Sequence, residues 1–401
     1  MFNKKINIIF TMLCCFSVGT VIADDTDNKT KIDLGLRTFY MNRDFNAGIP
    51  DTIAAGQAFR LNITSPYWGE MIGFDASAVH VVELVDDKVI NSSDVLTPDG
   101  SGYTTLEQVF VKLKPTANSD IRLGRMIVIT PLLNDLTSRL SAPSTQAIYG
   151  TLNLGNGELY ALYSDKASNN NSEKFTSYSA NGKDYAVASI GGTYQFDSGI
   201  GTHLQYAVAD DYLKQTYINL SYPTELGSYK LLLDLTHMRG EDDGELYGSD
   251  YNSNLTGLTG RLSKGNLAYT LAYQKIGGDN DYNQKWGGQD NTQFFTWAAV
   301  QLLDFNAKDE QSLQARIDYD VPGIPGLHLM ARHTESWDID YSGGNNGKRY
   351  ETNLDAQYTL QDGAAKGLDL HLRLAHADGD DAVVPRISDI RFIVNYSTNL
   401  L

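Results

Sequence analysis

The chain has 401 residues, with 32 Lys+Arg against 49 Asp+Glu, a formal net charge of −17 that argues against a nucleic-acid partner. Thirty-six glycines, 24 tyrosines and only 10 prolines point to a β protein rich in turns and aromatic surface. Mean hydropathy is negative, yet a membrane barrel is not excluded, because alternating lipid-facing and lumen-facing residues average out to a soluble-looking value.

The first segment reads as an export signal. Lys4 and Lys5 precede an apolar run from Ile6 to Ile22, and Val21-Ile22-Ala23 offers a cleavage site before Asp24-Asp25. Residues 1–23 are therefore expected to be a signal peptide and 24–401 the mature domain. Both cysteines, Cys14 and Cys15, fall in this leader. The mature chain then has no thiol for a disulfide or a metal, and no cofactor or metal site is expected.

From residue 24 onward, period-2 segments recur with no long amphipathic helix between them. Short connections read at 115–119, 155–157, 197–201, 223–228, 264–266, 322–326 and 361–367. Longer polar stretches lie between them at 42–55, 86–103, 130–145, 164–184, 239–254, 277–310, 335–349 and 378–388. Short turns on one side and long loops on the other describe a transmembrane antiparallel up-and-down β-barrel. "FFTWAAVQLLDF" (294–305) resembles a strand, but assigning it to a long loop restores the alternation and an even total of about eighteen strands.

In such a barrel the apolar face meets lipid and the polar face lines water. "LDLHLRLAHA" (368–377) then sends its leucines outward and Asp369, His371 and Arg373 inward. The same parity places Leu34, Leu36, Phe59, Leu61, Leu313, Ile317, Leu329, Leu354 and Phe392 outside. It places Arg37, Arg60, Arg316, Arg332, Arg373 and Arg391 inside. These six come from the first two strands and four of the last five. Closure of the barrel gathers them into one basic wall, suited to handing a carboxylate along without one deep trap. Inward Asp33, Asp318, Asp355 and Asp369 are available to neutralise it. Few inward aromatics besides Phe39 were found by parity, which favours anionic or zwitterionic solutes over sugars.

The stretch "TPLLNDLTSRLSAPST" (130–145) carries more leucine than an exposed loop needs. Folding into the lumen would bury Leu132, Leu133, Leu136 and Leu140 and set Asn134, Asp135 and Arg139 at a constriction facing the basic wall. The loop at 277–310 is expected to fold inward too, on Trp286, Phe294, Phe295 and Trp297.

"LRTFYMNRDF" (36–45), "AGQAFRLNITSPYWG" (55–69), "LGRMIVITPLLNDLTSRLSAPSTQAIYG" (123–150), "DFNAKDEQSLQARIDYDVPGIPGLHLMARHTESWDID" (304–340), "YTLQDGAAKGLDLHLRLAHA" (358–377) and "SDIRFIVNY" (388–396) together resemble the OprD family of substrate-specific outer-membrane porins. The resemblance implies eighteen strands, an inward constriction loop and a basic ladder opposite an electronegative pocket. It also implies passive uptake of small hydrophilic solutes such as carboxylates, amino acids or short peptides, with chito-oligosaccharides as the alternative cargo. Expected partners are those solutes, outer-membrane lipid and lipopolysaccharide, and the barrel-assembly machinery, for a monomer or loose trimer in the bacterial outer membrane. The ending Asn399-Leu400-Leu401 departs from the terminal aromatic common among barrels. Two other classes compete: a hydrolase using Asp369 and His371, and a surface-binding barrel acting through loops such as 240–254. No nucleophile is paired with His371 in the sequence, so no enzyme is expected.

Overall fold

The computed structural model describes residues 29–46, 48–86, 93–286, 294–341 and 344–401; the expected signal peptide lies outside them. Among the described residues there are twenty strands and no helix. The first half comprises β1 (Lys31–Phe45), β2 (Thr52–Thr64), β3 (Ile72–Asp86), β4 (Tyr103–Leu113), β5 (Ser119–Met126), β6 (Ser144–Asn153), β7 (Gly157–Ser168), β8 (Thr176–Ala180), β9 (Lys183–Tyr185) and β10 (Val187–Gln195). The second comprises β11 (Gly201–Ala209), β12 (Leu213–Leu226), β13 (Tyr229–Asp242), β14 (Asn252–Lys264), β15 (Leu267–Gly278), β16 (Gln311–Asp320), β17 (Leu327–Tyr341), β18 (Gly344–Thr359), β19 (Asp369–Gly379) and β20 (Ile387–Asn399).

β8 and β9 form a small hairpin in the connection from β7 to β10, which pair directly. The other eighteen strands make one antiparallel barrel, closed where β1 pairs with β20 from Asp33↔Asn399 to Phe45↔Ile387. Closure is obligatory in a bilayer, since each unpaired edge group in hydrocarbon costs several kcal/mol. Two connections escaped the sequence reading, the turn at 65–71 and the tight link at 210–212. The first, "SPYWGEM", carries turn residues in Pro66 and Gly69 that the strand-like Tyr67-Trp68 pair obscures, and the second, "DDY", interrupts only three residues.

Parity decides the two faces. Leu61, Leu313, Leu354, Leu372 and Phe392 are exposed on the outside, while Arg37, Asp369, His371, Arg373 and Arg391 are buried within. Residues 294–305 form no strand, in keeping with their assignment to a loop.

Two loops fill the lumen. In the β5–β6 loop, Leu132, Leu133 and Leu140 are fully buried, and Leu136 is half-buried. Leu132 and Leu133 join an apolar cluster with residues of β11 to β15, whereas Leu140 packs with Phe39, Ala58, Val79 and Ile393 near the seam. The loop therefore crosses the bore from one wall to the other. The β15–β16 loop clasps it: Trp286 is fully buried and donates from Nε1 to the Leu132 carbonyl at 2.7 Å, and Gln284 donates to the Pro131 carbonyl at 2.6 Å. Phe294 and Phe295 pack on the same cluster, and the Trp297 carbonyl accepts from Gln314 at 2.8 Å.

Candidate functional site: an arginine wall at the barrel seam

Barrel closure brings all six arginines to one arc of the inner surface, and strand register makes the crowding severe. Arg316 lies directly opposite Arg332, and Arg373 directly opposite Arg391. Like charges so placed repel, and buried carboxylates relieve four of the six. Arg60 forks onto Glu107 at 2.6 and 2.8 Å, and Arg316 holds Asp318 at 2.6 Å. Arg373 reaches Asp355 at 3.1 Å, and Arg391 reaches Asp389 at 2.7 Å. Asp318 and Asp355 thus neutralise as the sequence allowed. Asp369 instead accepts from Gln357 and Asn395 at 2.8 and 2.9 Å, and Asp33 from Asn399 at 3.2 Å.

Arg37 and Arg332 differ. Arg37 donates to the Asn395 amide oxygen at 3.0 Å and Arg332 to that of Asn353 at 2.9 Å. Neither has a carboxylate within 4.0 Å among the described residues. Arg139 of the β5–β6 loop shares that state, bonding only the Ser93 carbonyl at 2.7 Å and the Ser138 carbonyl and hydroxyl at 3.1 and 3.2 Å. The fully buried ring of Phe39 lies 5.8 Å from the guanidinium of Arg37 and 6.0 Å from that of Arg139, so one aromatic face joins wall to loop.

The other two loop residues serve the loop itself. Asp135 is fully buried and accepts from the Val128 amide at 2.8 Å and the Thr145 hydroxyl at 3.2 Å. Burial pushes its carboxyl up to about 7. Asn134 is buried and bridges to Ile129 across the same turn. The structure thus brings Arg139 to the wall and leaves Asn134 and Asp135 on the far side of the loop.

A strap over the wall was not legible in the sequence. Successive backbone N–H groups of Gln301, Leu302 and Leu303 converge on the buried Glu351 carboxylate at 3.0, 3.1 and 2.8 Å. Asn353, the partner of Arg332, donates to the same carboxylate at 2.6 Å. Gln301 also donates to Asp389 at 2.7 Å, and its carbonyl accepts from Arg391 at 3.3 Å. The β15–β16 loop is thereby fastened across the ladder, with Glu351 as the fastening.

Parity passed over further inward cations that it had the means to find, among them Arg43 on Asp389 at 2.9 Å, Lys112 on Asp75 at 3.1 Å, Arg261 on Asp318 at 2.8 Å and Arg349 on Glu310 at 2.6 Å. It also missed an aromatic row on the opposite wall. Tyr149, Tyr160, His203, Tyr217 and Phe295 follow one another with ring centroids 6.2, 5.9, 5.4 and 6.0 Å apart. His371 sits 3.4 Å from Asp355 rather than serving a nucleophile, and Asp369 accepts from the Gln357 and Asn395 amides and the Thr359 hydroxyl. Among the described residues no group of His, Cys, Asp and Glu has the arrangement of a metal site.

A closed antiparallel barrel with an apolar exterior, a polar lumen and loops folded into the bore is a porin: a channel, not an enzyme, of the bacterial outer membrane. The family model for "outer membrane porin, OprD family" matches residues 27–400, and the chain belongs to that family. It is 28% identical to Porin D of Pseudomonas aeruginosa, over 93% of this chain and 91% of that protein. It is 25% identical to the porin-like protein GalP of Pseudomonas putida, over 95% and 94% respectively. Among solved structures it is similar to Pseudomonas aeruginosa OpdK with vanillate, at TM-score 0.82 and 26% identity over 92% of this chain and 98% of that one. Acinetobacter baumannii OccAB4 shares the fold at TM-score 0.83, with 23% identity over 94% of this chain and 100% of that one.

Proposed function

We propose that the channel passes small carboxylates, and that Arg37, Arg332 and Arg139 are the groups that handle them. The observation carrying this reading is the division of the wall into ion-paired arginines and these three, which lack a carboxylate partner among the described residues. A solute carboxylate meeting them gains charge-assisted hydrogen bonds without displacing an internal acid. The paired arginines set the positive field and hold the handles in place. Passage needs sites strong enough to attract and weak enough to release, and a guanidinium already bonded to an amide oxygen meets both demands.

Vanillate, named with OpdK, is a carboxylate on an aromatic ring. In this chain the arginine wall faces an aromatic row, so a cyclic carboxylate finds a partner on each side. That row also supports a second reading, neutral cyclic solutes such as oligosaccharides, which need a ring track and no charge.

Single-channel recording and liposome uptake with benzoate, acetate and a neutral sugar of benzoate's size separate the two readings. Arg37→Gln with Arg332→Gln is expected to depress carboxylate uptake and leave the sugar unchanged. Equal loss for both solutes overturns the reading. The leader at 1–23 we read as removed on export, with 24–401 as the mature porin; N-terminal sequencing of the membrane form tests it.

A further inference from the structure

The seven histidines divide by face. His203, His328 and His371 point inward and meet Tyr160, Asp320 and Asp355 at 2.8, 2.7 and 3.4 Å. His80, His237, His333 and His376 point outward, toward lipid. Each of these four is bonded through Nδ1 to a hydroxyl on the following strand: Thr104 at 2.8 Å, Thr256 at 2.9 Å, Thr352 at 2.8 Å and Ser388 at 3.1 Å. Each pair is in direct register. Because Thr352 also lies opposite His376, His333, Thr352, His376 and Ser388 form one polar row across four strands of the outer surface. Tyr350 sits between the two rings, 5.7 Å from His333 and 6.2 Å from His376.

The level of three of these residues is informative. Moving outward from the short-turn side, Leu231, Leu233 and Leu235 precede His237; Leu329 and Ala331 precede His333; Leu370, Leu372 and Leu374 precede His376. The next outward positions are Arg239, Glu335 and Asp378. The apolar band thus ends at a histidine on each strand, on the long-loop side. His80 keeps the same bond but has Val82 beyond it, so only the other three mark the edge of the apolar band.

In the tautomer whose Nδ1 accepts from the hydroxyl the ring proton lies on Nε2, and Nε2 of each outward histidine makes no hydrogen bond among the described residues. Hydrocarbon offers that N–H no acceptor, whereas a headgroup phosphate offers a charged one. Arg239, Lys348 and Arg386 stand just beyond the row. We propose that His237, His333 and His376 form a donor girdle at the outer membrane boundary that hydrogen-bonds the phosphorylated headgroups of outer-leaflet lipid.

The test compares lipid A bearing its phosphates with enzymatically dephosphorylated lipid A, each offered to the full-length barrel in nanodiscs. Lipid retained per barrel after a detergent wash is read by mass spectrometry. The wild-type chain is expected to retain the phosphorylated form by at least about threefold over the other, the effect of a single modest hydrogen bond. His237→Phe, His333→Phe and His376→Phe together keep an interfacial ring but remove Nε2, and should bring the two lipids to parity. Equal retention of both lipids by the wild type overturns the proposal, as does an undiminished phosphate preference in the variant. If the triple variant fails to assemble, Thr352→Val with Ser388→Ala, which frees the ring proton, should lower the preference; an unchanged preference again refutes it.

Discussion

Replacing Glu351 with glutamine should loosen the strap over the arginine wall while changing the volume of the side chain hardly at all. In the native chain the carboxylate accepts from three consecutive backbone N–H groups and from Asn353, between 2.6 and 3.1 Å, and is fully buried. Hydrogen bonds to a charged acceptor contribute about 1.5–3 kcal/mol each and neutral ones roughly half. Over three backbone donors the weakening approaches about 3–4 kcal/mol, offset in part because a neutral amide is easier to bury. A net loss of about 2 kcal/mol shifts the strap's docked-to-undocked ratio roughly 30-fold. The assay is conductance of single barrels in planar bilayers, with heat-modifiable gel migration as the check on folding. Larger conductance, or flicker between two levels, is expected. A folded variant whose traces match the wild type would show that Glu351 does not hold the strap and that the strap does not narrow the bore.

Further expectations rest on the division among the arginines. Arg316→Gln, Arg332→Gln and Arg373→Gln together should lower carboxylate uptake but not that of a neutral sugar of equal size; Arg332→Gln alone should account for most of the loss, because only it lacks an acidic partner. Arg60→Met should act on stability instead. It strands Glu107, left with the Ala142 amide and Ser77 hydroxyl, and a broken buried pair costs about 3 kcal/mol, visible as a lower urea midpoint for loss of heat-modifiable migration. Asp135 supplies a pH dependence. Its carboxyl is held at about 7 against about 3.9 in an unfolded chain, so the docked loop binds the extra proton between those values. Docking should be firmest at acid pH and weaken as pH rises toward 7; Asp135→Asn should abolish that trend in channel noise, and a persistent trend would reassign it to another group.

Much of this protein was legible as period and parity. Leu370, Leu372 and Leu374 alternating with Asp369, His371 and Arg373 set strand and facing at once, because the side-chain period of a strand is two and the bilayer admits no unpaired edge. Placement of 294–305 in a loop followed from counting alone. The leucines of 130–145 pointed inward because nothing outside would cover them. Partnership was another matter. Asp389 lies two residues before Arg391 on the same face of β20, a pairing alternation does offer, but Glu107 stands on β4 and its relation to Arg60 on β2 depends on register and side-chain reach, which alternation does not encode. The Glu351 nest joins residues about fifty positions apart through backbone N–H groups, which carry no sequence signature. Asn134 and Arg139 look alike as polar residues of one leucine-rich loop, yet its path across the bore presents only Arg139 to Phe39 and the wall. The sequence by itself determined which face of each strand meets lipid, because that depends on local alternation. Only tertiary structure decided which arginines keep no acid: Arg316 and Arg391 have one two residues away, but Arg60 is satisfied by Glu107 from another strand while Arg37 and Arg332 meet amide oxygens, and that depends on how side chains come to rest when the barrel closes.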